Sequence, residues 1–203
     1  MRLIKGSLAL ISVSDKSGLA ALVEALVKHK IKLISSGGTA RTIRSLGYNI
    51  VEVSEYTGYP ESPDGLVKTL QPKIHGGLLL DPSNPEHKRY MDEQGIEPIG
   101  LLVVNLYPFE KVVERQDVEF AEAVQNIDIG GPAMIRAAAK GALLHGRPAV
   151  VTDPSQYQLV IDELNRRDGC LSQETVKDLA VKAFERTAEY DTLIKNYLKK
   201  VVK

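Results

Sequence analysis

SLALISVSDKSGLAALVEALVKHKIKLISSGGTA, residues 7–40, decides how the chain folds. SLALISV (7–13) is an apolar, β-branched run of strand length. After the SDKSG turn, Leu19, Leu22, Val23, Leu26 and Val27 recur at helical spacing on one face. IKLIS (31–35) is a second strand, SGGTA a second turn, and TARTIRSLG (39–47) a short helix stopped at Gly47. NIVEVS (49–54) then predicts a third strand. Strand, helix, strand, helix, strand implies a parallel sheet with right-handed crossovers.

Downstream the same grammar continues. GLLVVN, within residues 99–109, is the most strongly marked buried strand and ends at Asn105. A helical stretch covers roughly 119–140 and is broken near IDIGGP. PAVVT (148–152) is a fifth strand, and Asp153–Pro154 supplies an N-cap and first-turn pair for a helix to about Arg167. From Ser172 onward the pattern is helical, with an apolar stripe of Val176, Leu179, Ala180, Ala183, Phe184 and Ala188. That helix either caps the sheet or binds a partner. The expected organisation is one domain over residues 1–203: an α/β core to about 168, then a helical extension from about 172.

Composition narrows the function. Twenty-six basic residues balance 26 acidic ones, so no net field draws the chain to nucleic acid or a membrane surface. The default partners are small molecules and proteins. Cys170 is the only cysteine, which excludes an internal disulfide framework and a cysteine-based zinc site and fits a reducing compartment. The first apolar run meets Ser12, Ser14 and Asp15 too early to span a bilayer, and no cleavage pattern follows it. A cytoplasmic location is expected. His29, His75, His87 and His145 have no ligand spacing, so no metal is expected.

In an open parallel sheet, ligands sit beyond the carboxyl ends of the strands. The first strand ends there in Ser14-Asp15-Lys16 and the second in Ser36-Gly37-Gly38-Thr39. The two glycines let backbone N–H groups approach a ligand, the hydroxyls add donors, the following helix points its positive end at the spot, and Lys16 adds charge. This is the pattern of a phosphate site, although Ser and Thr also cap helices in plain turns. VKTLQPKIHGG (67–77) reads as a loop shaped to hold something, with too much Gly and Pro for an ordinary helix. It is not a phosphate loop of the Walker kind: Val67 stands where glycine is required. In IDIGGPAMIRAAAKG (127–141), Asp128 precedes a helix whose Lys140, about two turns beyond Pro132, reaches toward one end of a pocket or serves as a solvated helix-end lysine.

SVSDKSG (12–18), SGGTA (36–40), VKTLQPKIHGG, VNLYPF (104–109), IDIGG (127–131), IRAAAK (135–140) and KAFERTAEYD (182–191), in that order and at matching intervals, resemble the inosine monophosphate (IMP) cyclohydrolase domain of bifunctional purine-biosynthesis enzymes. The resemblance runs from about Ser7 to Tyr197. It implies a methylglyoxal-synthase-like fold and closure of the purine ring of 5-formamidoimidazole-4-carboxamide ribotide to IMP and water, without metal or cofactor. By the same resemblance, Ser14, Asp15, Lys16, Ser36, Gly37, Gly38 and Thr39 hold the nucleotide phosphate. Lys68, Thr69, Asn105, Leu106, Asp128 and Ile129 surround the base, with Leu66 and Val67 beside them. Lys140 moves the proton, Asp128 sets its charge state, Lys68 or a backbone N–H in its loop stabilises the formyl oxygen as it gains negative charge, and Tyr107 positions or relays. A homodimer using apolar residues of the last helix, and a separate transformylase chain, are the partners implied.

Three features depart from the family. Its usual G-R-V-K-T-L-H-P becomes Gly65-Leu66-Val67-Lys68-Thr69-Leu70-Gln71-Pro72, which removes a fixed charge at Leu66 and a histidine at Gln71. Gly141 replaces a usual asparagine, and ALLHGRP (142–148) alters the connection to the last strand. Lys73 or Arg136 are the expected substitutes for the missing arginine. A noncatalytic nucleotide-binding module on the same fold is the competing expectation, and a triose-phosphate lyase of the methylglyoxal-synthase kind a remote one.

Overall fold

The computed structural model describes residues 2–3, 7–115 and 117–202, with the side chains of Arg2, Leu3 and Asp64 left aside; the extreme ends of the expected 1–203 unit lie outside the described residues. The strands are β1 (Arg2–Leu3), β2 (Leu8–Val13), β3 (Lys32–Ser35), β4 (Val51–Glu52), β5 (Ile99–Asn105), β6 (Ala149–Val151) and β7 (Cys170–Leu171). The helices are α1 (Leu19–Lys28), α2 (Gly37–Ser45), α3 (Val53–Thr57), α4 (Pro72–Leu79), α5 (Pro85–Gln94), α6 (Phe109–Val113), α7 (Phe120–Gln125), α8 (Gly130–His145), α9 (Tyr157–Arg166) and α10 (Gln173–Val201). β1 and β7 form a small antiparallel pair.

The main sheet has five strands in the order β4-β3-β2-β5-β6, all parallel. From β2 the chain steps outward to β3 and β4, then returns to the other side of β2 for β5 and β6. With right-handed crossovers this reversal places α1 and α8 on opposite faces and opens a crevice where β2 and β5 end side by side. Val13 and Asn105 are register partners at that point. The five-stranded parallel sheet read from the sequence is the one observed.

Burial explains why the strands read so clearly. Leu10 and Ile11 of β2 and Leu101 and Leu102 of β5 are fully buried, each worth about 1.5–3 kcal/mol relative to exposure. In α1, Leu19, Leu22, Val23 and Leu26 are buried as their spacing requires, whereas Val27 lies at the edge and is exposed.

Three local expectations are corrected. NIVEVS keeps only Val51–Glu52 as strand, because buried Val53 already starts α3. PKIHGG is helical: Pro72 pre-sets the first turn of α4, and Ile74, Gly77 and Leu78 are buried by it. Burial of that face outweighs the low helix propensity of the two glycines. In α10 the buried stripe runs Val176, Leu179, Ala180, Ala183, Thr187, Tyr190, while Ala188 is exposed and Phe184 half-buried. The true face turns slightly from the apolar count because Tyr190 buries its ring edge-on to Phe109. α10 packs along α8 and β6 and so covers the sheet.

Gly141 also finds its reason here. A Cβ at this buried position would press into the carbonyl of Leu78, where α4 crosses α8, and would stand 3.1 Å from the carbonyl of Arg147. The departure from asparagine is a packing requirement of the α4–α8 contact.

Candidate active site

The crevice at the β2/β5 switch widens into a cavity of about 440 Å³, within the range of roughly 300–1,000 Å³ typical of small-molecule sites. Its walls come from four places: the turn after β2, the start of α2, the turn around Lys68, and the segment joining α7 to α8.

The first wall is held by its own backbone. Asn105 at the end of β5 accepts hydrogen bonds from the N–H groups of Ser14 (2.6 Å) and Asp15 (2.9 Å) and donates to the carbonyl of Asp15 (2.8 Å). Asp15 accepts from the N–H of Ser17 at 2.8 Å, and its hydrogen bonds to Ser17 hold its carboxyl below the usual range. Lys16 folds back, its Nζ 3.4 Å from the carbonyl of Val13 and 3.3 Å from that of Ser14, and it lines the cavity. Behind this turn lies the buried ring of Tyr157, whose phenol is pushed up to about 12, by burial first and by the charge of Asp15 second.

The second wall is the N-terminus of α2. Gly37 has φ 56°, the left-handed region that suits glycine. Thr39 is buried and gives both hydrogen-bonding roles to Val13, accepting from its N–H at 3.1 Å and donating to its carbonyl at 3.0 Å. Ser36 occupies the N-cap position without capping through its side chain. The first-turn N–H groups of α2 therefore have no side-chain cap, which is the condition for anion binding at a helix start.

The opposite walls carry the reactive types. Lys68 sits on the turn after Gly65, 3.5 Å from the Glu61 carboxylate, and its Nζ is close to both Gly37 and Gly65. It thus stands between the α2 turn and Asp128. Asp128 accepts from the N–H of Gly131 at 2.8 Å, and its own N–H donates to the phenol oxygen of Tyr190 at 2.8 Å. Burial raises the Asp128 pKa; the Gly131 hydrogen bond and the charge of Lys68 act in the opposite direction. Thr69 presses against Gly130, and Ile129 and Tyr107, both largely exposed, line the mouth.

Of the residues expected at the site, Ser14, Lys16, Ser36, Gly38, Thr39, Leu66, Lys68, Thr69, Asn105, Tyr107, Asp128 and Ile129 line this one cavity. Asp15, Gly37, Val67 and Leu106 do not; Asp15 and Gly37 shape its turns, and buried Leu106 packs behind Gly131. Lys140 is exposed on α8 and lines no part of the cavity. The helix starts at Gly130, so Lys140 lies ten residues, or about 15 Å, along its axis. The two expected substitutes for the missing arginine are also occupied elsewhere: Lys73 reaches the carbonyl and ring of Tyr56, and Arg136 stacks over Phe184. Leu66 is 67% exposed at the rim. His75 sits in α4 with Nδ1 3.4 Å from the carbonyl of Gln71, away from the cavity. Gln125, Asn126, Ile127 and Met134 are lining residues that sequence reasoning missed; their position within or beside IDIGG was the available signal.

Among the described residues no group of three or more His, Cys, Asp or Glu is placed to hold a metal ion, and no helix is long and apolar enough to cross a membrane.

Residues 18–133 match the MGS-like domain. The chain belongs to that family. Its remaining part, residues 138–203, matches the AICARFT/IMPCHase bienzyme family, so α8 beyond Ala137, β6 and the long α10 extend the MGS-like core in the manner of that second group. The chain is 50% identical over 190 residues to the bifunctional purine biosynthesis protein PurH of Bacillus cereus (strain B4264), covering 94% of this chain and 36% of that protein. It is 49% identical over 192 residues to the PurH of Bacillus mycoides (strain KBAB4), covering 95% and 37%. The chain thus spans little more than a third of the length of these relatives. Among solved structures, that of ForH superposes with a TM-score of 0.79 at 30% identity, covering 93% of this chain and 97% of that one.

Proposed function

We propose that this chain is an IMP cyclohydrolase, closing the purine ring of 5-formamidoimidazole-4-carboxamide ribotide to give IMP and water. The observation that carries the reading is one cavity with two unlike ends. An uncapped helix start with Ser14, Lys16, Ser36 and Gly38 suits a phosphate, while Lys68, Thr69 and a half-buried Asp128 suit a polar, reacting base.

In the reaction the carboxamide nitrogen attacks the formyl carbon. The carboxamide nitrogen loses one proton and the formyl oxygen gains negative charge and is protonated; the former formamido N–H then gives up the second proton as the ring C=N bond forms, the C–O bond breaks and water leaves. Lys68 stabilises the oxygen as charge develops. Asp128, whose pKa burial has raised, is a stronger base than an ordinary carboxylate and takes the proton from the nitrogen. Tyr107 at the mouth orders the substrate. The proton-transfer role expected of Lys140 passes to these groups inside the cavity. Holding the two exocyclic groups together supplies much of the acceleration, because the step is intramolecular.

The same reading takes the protein as a single nucleotide-binding unit in the cytoplasm, a homodimer supplied with formylated substrate by a transformylase. Leu66 alone favours the second reading, a noncatalytic nucleotide-binding module. Steady-state ultraviolet detection of IMP from the ribotide decides between them: turnover supports the enzyme, and tight nucleotide binding without turnover supports the module.

A further inference from the structure

KAFERTAEYD (182–191) lies on α10, and the site described above leaves this motif without a role in the chemistry. Its Tyr190 is completely buried, edge-on to Phe109 with ring centroids 6.4 Å apart. Its phenol oxygen takes the N–H of Asp128, 62 residues earlier, at 2.8 Å. The turn carrying Asp128 is consequently held at two points: Gly131 fixes the carboxylate and Tyr190 fixes the backbone of the same residue. The N–H of Asp128 is followed by Ile129, exposed at the cavity mouth, and by the first turn of α8. Without the phenol, this partly buried N–H would lose its protein acceptor, and Asp128 would be anchored only through the carboxylate that the reaction needs.

We propose that Tyr190 is a positioning residue for Asp128, through which α10 sets the geometry of the reacting end of the cavity. The inference rests on the cyclohydrolase reading for its kinetic consequence and on geometry alone for its binding consequence. Tyr190→Phe keeps the ring and its packing against Phe109 and removes only the oxygen. Turnover is expected to fall about tenfold, and IMP affinity several-fold. If Tyr190 acts through Asp128, both losses vanish when Tyr190→Phe is introduced into the Asp128→Ala chain, because no carboxylate then remains to be placed. A merely structural role predicts the same loss in both backgrounds. The exchange rate of the Asp128 amide in the full chain, measured by nuclear magnetic resonance, is expected to rise in Tyr190→Phe while the amides of β2 and β5 stay protected. Wild-type turnover and affinity in Tyr190→Phe, or additive losses in the double variant, would overturn the proposal. If the unaltered chain binds IMP but forms none, the cyclohydrolase reading fails by itself, and the same cycle read on IMP affinity still decides the role of Tyr190.

Discussion

The two ends of the cavity use their side chains in opposite ways. At the α2 end, polar side chains are spent on the protein itself: Asn105 binds the Ser14–Asp15 backbone, Thr39 binds Val13 and Asp15 binds Ser17. What faces the cavity is largely a set backbone, with Ser36 and Lys16 beside it. At the α8 end, Lys68 pairs with Glu61 at 3.5 Å, and Asp128 remains partly buried with a raised pKa. A site that grips an inert phosphate needs fixed N–H directions, whereas a site that moves protons needs ionisable groups whose environment sets their charge. The difference teaches that loss of a residue at one end should weaken binding and stability, and at the other should stop the chemistry.

The largest expected effect breaks the reacting end. Lys68→Ala should lower kcat about 10²–10³-fold, the range for removing one stabiliser of a developing oxyanion, with KM for the ribotide changing far less. Equal loss in 1/KM would assign Lys68 to binding instead. Asp128→Asn should also remove most turnover, and it should raise the melting temperature at pH 7. The sign follows from the folded pKa lying above 3.8. The contribution of Asp128 to stability is complete below the unfolded value and is lost as pH rises through the folded one, so at neutral pH the ionised carboxylate is a burden that asparagine removes. A melting curve that falls at pH 7 would contradict this.

Smaller effects probe the other end. Asn105→Ala strips acceptors from two N–H groups and should cost about 1 kcal/mol of stability, toward the low end for partly exposed groups, while weakening IMP binding more than it lowers kcat. A kcat-only effect in single-turnover kinetics would put Asn105 at the base. Lys140→Ala should be the mildest, changing kcat and KM by about twofold or less, as exposed substitutions do. A hundredfold loss would return Lys140 to the chemistry.

Much of the fold was legible because buried parallel strands are short apolar runs ending in polar turns. SLALISV, IKLIS, GLLVVN and PAVVT all say so. The site was legible in outline for a related reason: its residues cluster where those strands stop. Four things were not. The propensities of Gly76 and Gly77 hid the helix that buries Ile74 and Leu78, because tertiary packing supplies what the local sequence lacks. The hydroxyl of Thr39 reads as a ligand donor until β2 is seen to claim it. Lys140 needs the true start of α8, Gly130 rather than Pro132, which sets it ten residues along the helix instead of eight. Tyr190 was invisible as a site residue because its partner is a backbone N–H, which no residue type announces.

The most direct test of the two-ended cavity is a crystal structure of this chain with IMP bound. The phosphate is expected against Ser14, Ser36 and the first turn of α2, with the base between Lys68 and Asp128. A phosphate found beside Lys68 and Asp128, with the base toward α2, would contradict the assignment of both ends.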